Sequence, residues 1–240
     1  MPDWRIKLVR KDEIAEATTA FCFQRPPDLQ FIAGQFVDIT LIHPAEIDSA
    51  GSSRTMTIAS APCEEQLIFA MRIRNTAFKK VINGLRAGDE VMIDDPAGVF
   101  TLHRDSSRPG VFIAGGIGIT PFRSILLQAA HDHLPHQLYV FFSNRRPEDA
   151  AFLSELQALV GRNRGYKLIP TMTQMWRSNH QWEGETSYID ACFISKYLRS
   201  IVGPIYYLAG PPPMIESMRQ MLIEHGVKRD DINADPFDGY

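Results

Sequence analysis

The chain has 240 residues, of which 45% are hydrophobic and 22% charged, and its formal net charge is −3. This composition is typical of a globular protein with one large or two ordinary domains, and the near balance of charges argues against nucleic acid as a partner. No apolar stretch is long enough to span a bilayer and the first residues do not form a signal peptide, so we expect a cytoplasmic protein without direct membrane insertion.

The first hundred residues are predicted to form mainly strands. Apolar and polar residues alternate at 4–8, 37–41 and 67–73, which is typical of half-buried antiparallel strands. Several such strands, joined by turns rich in proline and glycine, predict an antiparallel barrel or sandwich. One helix interrupts them: Thr76 is a suitable N-cap, and apolar residues follow at helical spacing from Phe78, which we interpret as a core residue.

The pattern changes after a polar segment at 103–110, which ends in a proline–glycine breaker. We place the domain linker there, between domains at 1–105 and 109–240. Predicted strands at 111–114, 138–142, 167–171 and 205–209 then alternate with predicted helices at 120–131, 147–160, 190–198 and 212–225. Such alternation predicts an α/β domain with a doubly wound parallel sheet, whose ligands bind at the carboxyl ends of the strands.

A glycine-rich loop joins the first of these strands to its helix, through Gly115, Gly116 and Gly118. Thr120 is a suitable N-cap, and Pro121 fits the first helical position. Small residues, free N–H groups and the helix dipole together predict an anion cradle, and the pyrophosphate of a dinucleotide is the preferred anion. The spacing is not G-x-G-x-x-G, and a glycine turn that binds nothing is the alternative.

The cysteines and histidines do not suggest a metal. Cys22, Cys63 and Cys192 are far apart, whereas an iron–sulfur cluster needs closely spaced thiolates. Three histidines at 131–136 complete no ligand set, and the end of a helix favours imidazolium through its dipole. We therefore predict no metal site.

Four further segments carry arginine, threonine, glycine or proline at element ends: 54–57 (Arg-Thr-Met-Thr), 72–79 (Arg-Ile-Arg-Asn-Thr-Ala-Phe-Lys), 95–100 (Asp-Pro-Ala-Gly-Val-Phe) and 208–214 (Leu-Ala-Gly-Pro-Pro-Pro-Met). With the glycine-rich loop, they resemble five motifs of the ferredoxin–NADP reductase superfamily, in that family's order. The resemblance covers nearly the whole chain. It implies a flavin-binding antiparallel β-barrel followed by a nicotinamide-nucleotide-binding α/β domain, without an iron–sulfur domain.

In the barrel, the resemblance implies flavin contacts at 54–57. Arg54 would pair with the flavin pyrophosphate, and Thr57 would hydrogen-bond near N5, the atom that accepts hydride. Thr55 lies between them, and Met56 stands where the family usually has an aromatic residue that packs on the flavin. A thioether can also pack against a ring face.

The other barrel motifs resemble the segments beside the flavin phosphates. Thr76, at a helix start, would bind them together with backbone N–H groups, and two phosphates imply FAD rather than FMN. For Arg72 and Arg74, contact with the ligand and a place on a solvated face are equally expected. Gly98 is interpreted first as a structural turn and second as a neighbour of the flavin.

In the α/β domain, the resemblance implies nucleotide contacts by the glycine-rich loop, including Thr120 and Pro121. Gly210 and Pro211 would form the turn beside the nicotinamide, with Ala209 where many members have a cysteine. Met214 follows on a helix, where a core role is also expected.

The end of the second strand of this domain suggests the choice of nucleotide. Ser143, Arg145 and Arg146 suit a 2′-phosphate, which favours NADP(H) over NAD(H). One arginine here also occurs in relatives that use NADH. At the C-terminus, Phe237 or Tyr240 would stack on the flavin and be displaced by nicotinamide, with a frayed tail as the alternative.

The resemblance implies an FAD-dependent NAD(P)H oxidoreductase, in which hydride passes from NAD(P)H to flavin. Electrons would then pass to a separate acceptor such as a ferredoxin, a flavodoxin or an oxygenase component. Two alternatives remain open: a flavin- or nucleotide-binding electron-transfer or regulatory subunit of a larger complex, and a reductase of free flavin or ferric chelates.

Overall fold

The computed structural model describes residues 4–161 and 165–237. Its N-terminal half is a six-stranded antiparallel sheet in the order β4-β3-β6-β1-β2-β5. The strands are β1 (Trp4–Ala15), β2 (Thr18–Gln24), β3 (Phe36–Leu41), β4 (Ser53–Thr57), β5 (Gln66–Arg72) and β6 (Glu90–Ile93). The two edges meet where the amide of Ala59, after β4, donates to the carbonyl of Ile68 at 2.8 Å. The predicted antiparallel N-terminal domain is confirmed.

Strand β5 is buried on both faces, although its sequence alternates like a half-buried strand. Leu67 and Phe69 belong to the core of the barrel. On the opposite face, Ile68 and Ala70 belong to a small cluster that also contains Phe152 of the second domain. The second domain therefore covers the face that alternation assigns to solvent.

A single helix, α1 (Ala77–Gly84), follows β5. Thr76 is its N-cap, and the Thr76 hydroxyl oxygen accepts from the amide of Lys79 at 3.4 Å. Phe78 is 2% exposed and packs in the barrel core, as predicted. The helix therefore begins at the residue that the sequence indicates.

The C-terminal half is a five-stranded parallel sheet in the order β11-β10-β7-β8-β9. Its strands are β7 (Gly110–Gly115), β8 (Leu138–Asn144), β9 (Tyr166–Met172), β10 (Ile205–Gly210) and β11 (Ile232–Pro236). Its helices are α2 (Thr120–His131), α3 (Leu153–Leu159), α4 (Ala191–Ser195) and α5 (Pro212–Glu224). The doubly wound prediction is confirmed, and the strand order reverses between β7 and β10.

The predicted bounds of α2 are confirmed, but the predicted N-cap is wrong. A 3-10 turn at Gly116–Ile119 precedes α2, so Ile119 rather than Thr120 is the N-cap, and the hydroxyl of Thr120 donates to the carbonyl of Ile117 at 3.2 Å. The helix expected at 147–160 is interrupted, because Phe152 has a φ of 59° and α3 begins after it. That backbone turn sets the Phe152 ring against the guanidinium of Arg123 at 4.9 Å.

The C-terminal segment forms regular structure at 232–236. Its strand β11 extends the parallel sheet, and the amide of Phe237 donates to the carbonyl of Gly210 at 3.0 Å. The frayed-tail alternative is therefore wrong for 232–237, and Tyr240 lies outside the described residues.

The two halves are joined by polar bonds as well as by apolar contacts. The hydroxyl of Ser124 on α2 donates to the carbonyl of Ser60 at 2.6 Å, and the amide of Glu16 donates to the carbonyl of Glu148 at 2.7 Å. The segment expected to be the linker packs onto the second domain, where the amide of His103 donates to the Tyr207 hydroxyl at 2.8 Å. The domain boundary within 103–110 stays a prediction.

Among the helices in the described part of the chain, none combines the length and apolar character that crossing a membrane requires.

Candidate active site

A cavity of about 190 Å³ lies between the two halves of the molecule, and we call it the interdomain cavity. Strand β4 contributes residues 54–57 and β5 contributes residues 70–72. The start of α1 contributes Thr76, Phe78 and Lys79, and the second half contributes Ile117, Thr120 and Phe237. Residues singled out in three separate motifs thus line one space, with Thr57 and Phe237 among them.

One end of the interdomain cavity is positively charged. Lys79 lies close enough to Arg74 and Arg54 for their charges to matter: burial lowers the pKa of the Lys79 ammonium, and repulsion from those two guanidinium groups lowers it further. A cluster of three cations favours an anionic ligand. Lys79 has no role in the sequence-based hypothesis, although it lies three residues after the cap of α1.

Arg54 is tied to the loop that precedes β4. Its Nη2 donates to Asp48 Oδ1 at 2.8 Å, and its Nη1 donates to the carbonyls of Ala50, Gly51 and Ser53 at 2.7–3.0 Å. Its guanidinium carbon also lies 5.2 Å from the centre of the Phe78 ring. The hydrogen bond from Arg54 is the main cause of the lowered pKa of Asp48.

The neighbours of Arg54 on β4 face different surroundings. Thr57 is 6% exposed and borders the cavity together with Met56. The Thr55 hydroxyl donates to Asp38 Oδ1 at 2.5 Å, and Thr55 also lines the cavity. Met56 contacts the barrel core while bordering the cavity, so its thioether is placed for van der Waals contact with a planar ligand.

A second space, the strand-end cleft, opens at the carboxyl ends of the parallel strands. It shares Arg72 and Ile117 with the interdomain cavity, so the two spaces adjoin. Its other walls include Arg74, Gly115, Gly116, Ser143, Asn144, Arg145, Asp149, Thr173 and Pro211. Gly116 has a φ of +54°, and a Cβ there would meet nothing within 4 Å among the described residues. The backbone at Gly116 is therefore open to a ligand.

The remaining loop glycines are required by packing between β7 and β10. A Cβ on Gly118 would overlap the carbonyl of Ala209, and a Cβ on Gly115 would overlap the sulfur of Met214. Gly210 has a φ of +150°, and a Cβ there would crowd the backbone of Gly115. These glycines bring the two strand ends together, and Met214 has the core role that its helical spacing suggests.

Asn144, at the end of β8, is a residue that the sequence-based hypothesis missed. It is 5% exposed, borders the strand-end cleft, and both atoms of its side-chain amide lack a hydrogen-bond partner within 4–161 and 165–237. Buried polar groups are normally paired. The unpartnered amide can therefore hydrogen-bond a polar ligand. In the sequence, the position of Asn144 between Ser143 and Arg145 was the signal that could have identified it as a site residue.

The structure separates the two arginines that follow β8. Arg145 lines the strand-end cleft. Arg146 is instead bound by carboxylates: Asp149 at 2.9 Å, Glu16 at 2.8 Å and Glu148 at 3.5 Å. The expectation that Arg146 contacts a 2′-phosphate is corrected, because three carboxylates already neutralise its guanidinium.

Three further residues predicted to contact a ligand differ from expectation in the structure. Gly98 has a φ of +105° and lies against the ring of Phe36, outside both sets of cavity walls among the described residues, so only its interpretation as a structural turn stands. Arg72 pairs with Asp149 across the two halves at 3.2 Å while it also lines the cavity. Pro121 is buried in α2 and borders neither space in the described part of the chain.

Within 4–161 and 165–237, no three histidine, cysteine, aspartate or glutamate side chains are placed to hold a metal ion.

Comparison with known proteins places these features in context. Residues 112–220 match the family of the oxidoreductase NAD-binding domain. The chain is 26% identical to ferredoxin–NADP reductase B of Sorangium cellulosum, over 97% of this chain and 96% of that protein. It is 29% identical to the xylene/toluene monooxygenase electron transfer component XylA of Pseudomonas putida, over 88% of this chain and 59% of that protein.

A third relative is the toluate 1,2-dioxygenase electron transfer component of Pseudomonas putida, which is 24% identical over 90% of this chain and 62% of that protein. The chain thus spans only part of two of these three relatives. Among solved structures, the ferredoxin NADP+ reductase of Neisseria gonorrhoeae with bound FAD and NADP superposes with a TM-score of 0.80 and 19% identity, covering 98% of this chain and 99% of that chain. The Amycolatopsis cytochrome P450 reductase GcoB gives 0.82 and 22%, covering 98% and 70%. These structures share the two-domain fold.

Proposed function

We propose that the chain is a member of the ferredoxin–NADP reductase superfamily, on the match of residues 112–220 to the oxidoreductase NAD-binding domain and on its end-to-end similarity to a ferredoxin–NADP reductase. On that premise we propose that it is an FAD-dependent NAD(P)H oxidoreductase that passes electrons to a separate acceptor. The observation that carries this proposal is the adjacency of two cavities. The interdomain cavity and the strand-end cleft share Arg72 and Ile117, and arginines line both. Two anionic cofactors bound in them would meet at the shared wall.

The interdomain cavity suits a flavin dinucleotide. Its cationic end, with Arg54 and Lys79 in the wall and Arg74 close to Lys79, matches a pyrophosphate, and the capped start of α1 adds N–H groups. Thr57, Met56 and Phe237 border the part that would receive the ring system. When bound there, the flavin would supply the capacity to take hydride from reduced nicotinamide and to release electrons singly or in pairs.

The strand-end cleft suits a nicotinamide nucleotide. The open backbone at Gly116 can approach a pyrophosphate, and the unpartnered amide of Asn144 can hydrogen-bond a ribose or phosphate. We propose that Ser143 and Arg145 bind the 2′-phosphate and favour NADP(H) over NAD(H). Arg146 has no part in this proposal, since its guanidinium is held by Glu16 and Asp149.

The protein's own contribution is to position the reacting groups and exclude water. Phe237 lines the interdomain cavity, and its amide donates to the carbonyl of Gly210. We propose that an aromatic residue of the C-terminal segment, Phe237 or Tyr240, shields the flavin until nicotinamide displaces it. Thr57 would then hold the hydride-accepting edge through its hydroxyl.

The acceptor is proposed from the relatives. One relative is named as a ferredoxin–NADP reductase and another as an electron transfer component of a monooxygenase. A ferredoxin, a flavodoxin or an oxygenase component is therefore the class of acceptor that we propose, in a cytoplasmic setting.

The proposal is tested by loading the purified chain with FAD and measuring NADPH- and NADH-dependent reduction of ferricyanide. We expect flavin bound at one equivalent and turnover with both nucleotides, faster with NADPH. Bound flavin without turnover would favour the alternative of a non-catalytic subunit, and a chain that binds neither FAD nor FMN would contradict the proposal.

A further inference from the structure

Asp48 stands in the loop between β3 and β4, at the first position of a tight turn. Its Oδ1 accepts from the amide of Ala50 at 3.0 Å and from Arg54 Nη2 at 2.8 Å. Arg54 is the main cause of the lowered pKa of Asp48, and the backbone amides of Ala50 and Ala77, the first residue of α1, lower this pKa further. The carboxylate thus lies where both Arg54 and the beginning of a helix favour negative charge.

That position is an anion site by its physical character. The first N–H groups of a helix have no partner within the helix, and the helix dipole favours negative charge there. In α1 the Thr76 side chain satisfies the amide of Lys79, while the amide of Ala77 contributes to the lowered pKa of Asp48. The guanidinium of Arg54 supplies a full positive charge on the other side of the same carboxylate.

We propose that the Asp48 carboxylate occupies the place of a flavin phosphate and is displaced when FAD binds, so that Asp48 sets the affinity for the dinucleotide. This inference rests on the proposed function, because it identifies Arg54 and the start of α1 as the flavin phosphate site. A diphosphate bound by Arg54 and the ionised Asp48 carboxylate would repel each other, because both would lie against the same guanidinium. Binding of FAD therefore requires the Asp48 carboxylate to leave Arg54.

The loop is built so that such a movement costs little. Residues 45–47 and 49–50 are exposed, and Gly51 has a φ of +78° with open space around its Cα. The other ion pair of this loop, Glu46 with Lys80 at 3.4 Å, joins two half-exposed side chains, and such pairs contribute little to stability. Withdrawing the carboxylate breaks its bonds to Arg54 and to the amide of Ala50, and the Asp48 and Arg54 side chains are both partly exposed.

The competing explanation is that Asp48 only shapes the turn through its bond to Ala50. Asp48→Asn separates the two explanations, because an asparagine oxygen can accept from the amide of Ala50 in the same turn while carrying no charge. Glu46→Gln is the matched control, since it removes a carboxylate of the same loop that pairs with the half-exposed Lys80 of α1 and not with Arg54.

The experiment measures dissociation constants for FAD and for riboflavin, which has no phosphate, with the full-length apoprotein. For Asp48→Asn we expect FAD to bind about 5- to 20-fold more tightly, the size of effect of one charge near a partly exposed anion. Riboflavin affinity should change less than about twofold, and Glu46→Gln should leave both constants unchanged.

Two results would overturn the inference: equal or weaker FAD binding by Asp48→Asn, or equal tightening for riboflavin. If Asp48→Asn does not fold, Asp48→Ser with inorganic pyrophosphate as the probe replaces it, and the wild type should then be stabilised less by pyrophosphate than the variant. A wild-type chain that binds no flavin at all would instead contradict the proposed function.

Discussion

Arg145 and Arg146 are adjacent in sequence, yet their surroundings differ in kind. Arg145 lines the strand-end cleft, whereas Arg146 pairs with Glu16, from the turn between β1 and β2, and with Asp149 nearby. The sequence locates both arginines after β8 but cannot distinguish their roles, because Glu16, which binds Arg146, is 130 residues away along the chain. The same holds for Asn144, whose unpartnered amide is visible only when its surroundings are known.

This difference predicts opposite effects of two alanine substitutions. Arg145→Ala should lower kcat/KM for NADPH about 10- to 100-fold relative to NADH, the effect of losing one charge-assisted hydrogen bond. Arg146→Ala should leave that ratio unchanged and lower the Tm, because Glu16 loses its cation and Asp149 is left with Arg72. Steady-state kinetics and thermal unfolding of both variants measure these effects, and a loss of selectivity in Arg146→Ala would contradict the assignment.

At the scale of elements, β7 and the 3-10 turn after it pack closely against the end of β10 because the residues at their contact are glycines, which have no side chain. The glycine motifs were correctly located from the sequence, because strand-to-helix turns have a local signature. Their physical role could not be predicted, since it depends on β10, which lies about ninety residues further along the chain. The interruption before α3 was missed for a similar reason: Phe152 takes its left-handed backbone against Arg123 on another helix.

Gly118→Ala tests this packing. The added Cβ would overlap the backbone carbonyl of Ala209, which cannot move without shifting β10, so we expect a loss of about 1–3 kcal/mol in the free energy of unfolding. Gly84→Ala at the end of α1 is the control, because its Cβ would meet nothing within 4 Å in the described chain and alanine favours a helix. Chemical denaturation that finds equal stabilities for the two variants would refute the packing role.

At the scale of the whole molecule, Arg123 links the two domains. Its side chain is 4% exposed, and its five donors reach Glu64, Glu155 and the carbonyl of Ala59 at 2.6–3.0 Å. Glu64 and Ala59 belong to the barrel, and Glu155 belongs to α3. The two-domain order was predictable from the change of period along the chain, but this contact between the domains was not.

Arg123→Met should therefore destabilise the whole chain rather than one domain. Removing the guanidinium leaves Glu64 and Glu155 facing each other without a cation. Because these carboxylates are 29% and 38% exposed, we expect a loss of about 1–3 kcal/mol, less than for a fully buried ion pair. Arg104→Met, at an exposed position, is the matched control. Denaturation followed separately by tryptophan fluorescence and circular dichroism should show the loss in both signals, and a change confined to one signal would indicate independent domains.

A second link between the domains is sensitive to pH. Burial raises the pKa of Asp149, but hydrogen bonding by Arg146 and the charges of Arg146 and Arg72 lower it more, so its folded pKa lies below the ordinary value of 3.8. A lowered folded pKa stabilises the fold above the unfolded pKa, and this contribution is lost as the pH falls through the folded value. We expect Asp149→Asn to be less stable at neutral pH and to lose less stability than the wild type between about pH 5 and 2. Parallel curves for the two proteins would contradict this link.

The central claim is that one chain brings reduced nicotinamide to a bound flavin. Anaerobic rapid mixing of the FAD-loaded protein with NADPH, and separately with NADH, tests it most directly through the visible absorption of the flavin. We predict complete bleaching in a single turnover with either nucleotide, faster with NADPH. A flavin that stays oxidised with both nucleotides would contradict the claim.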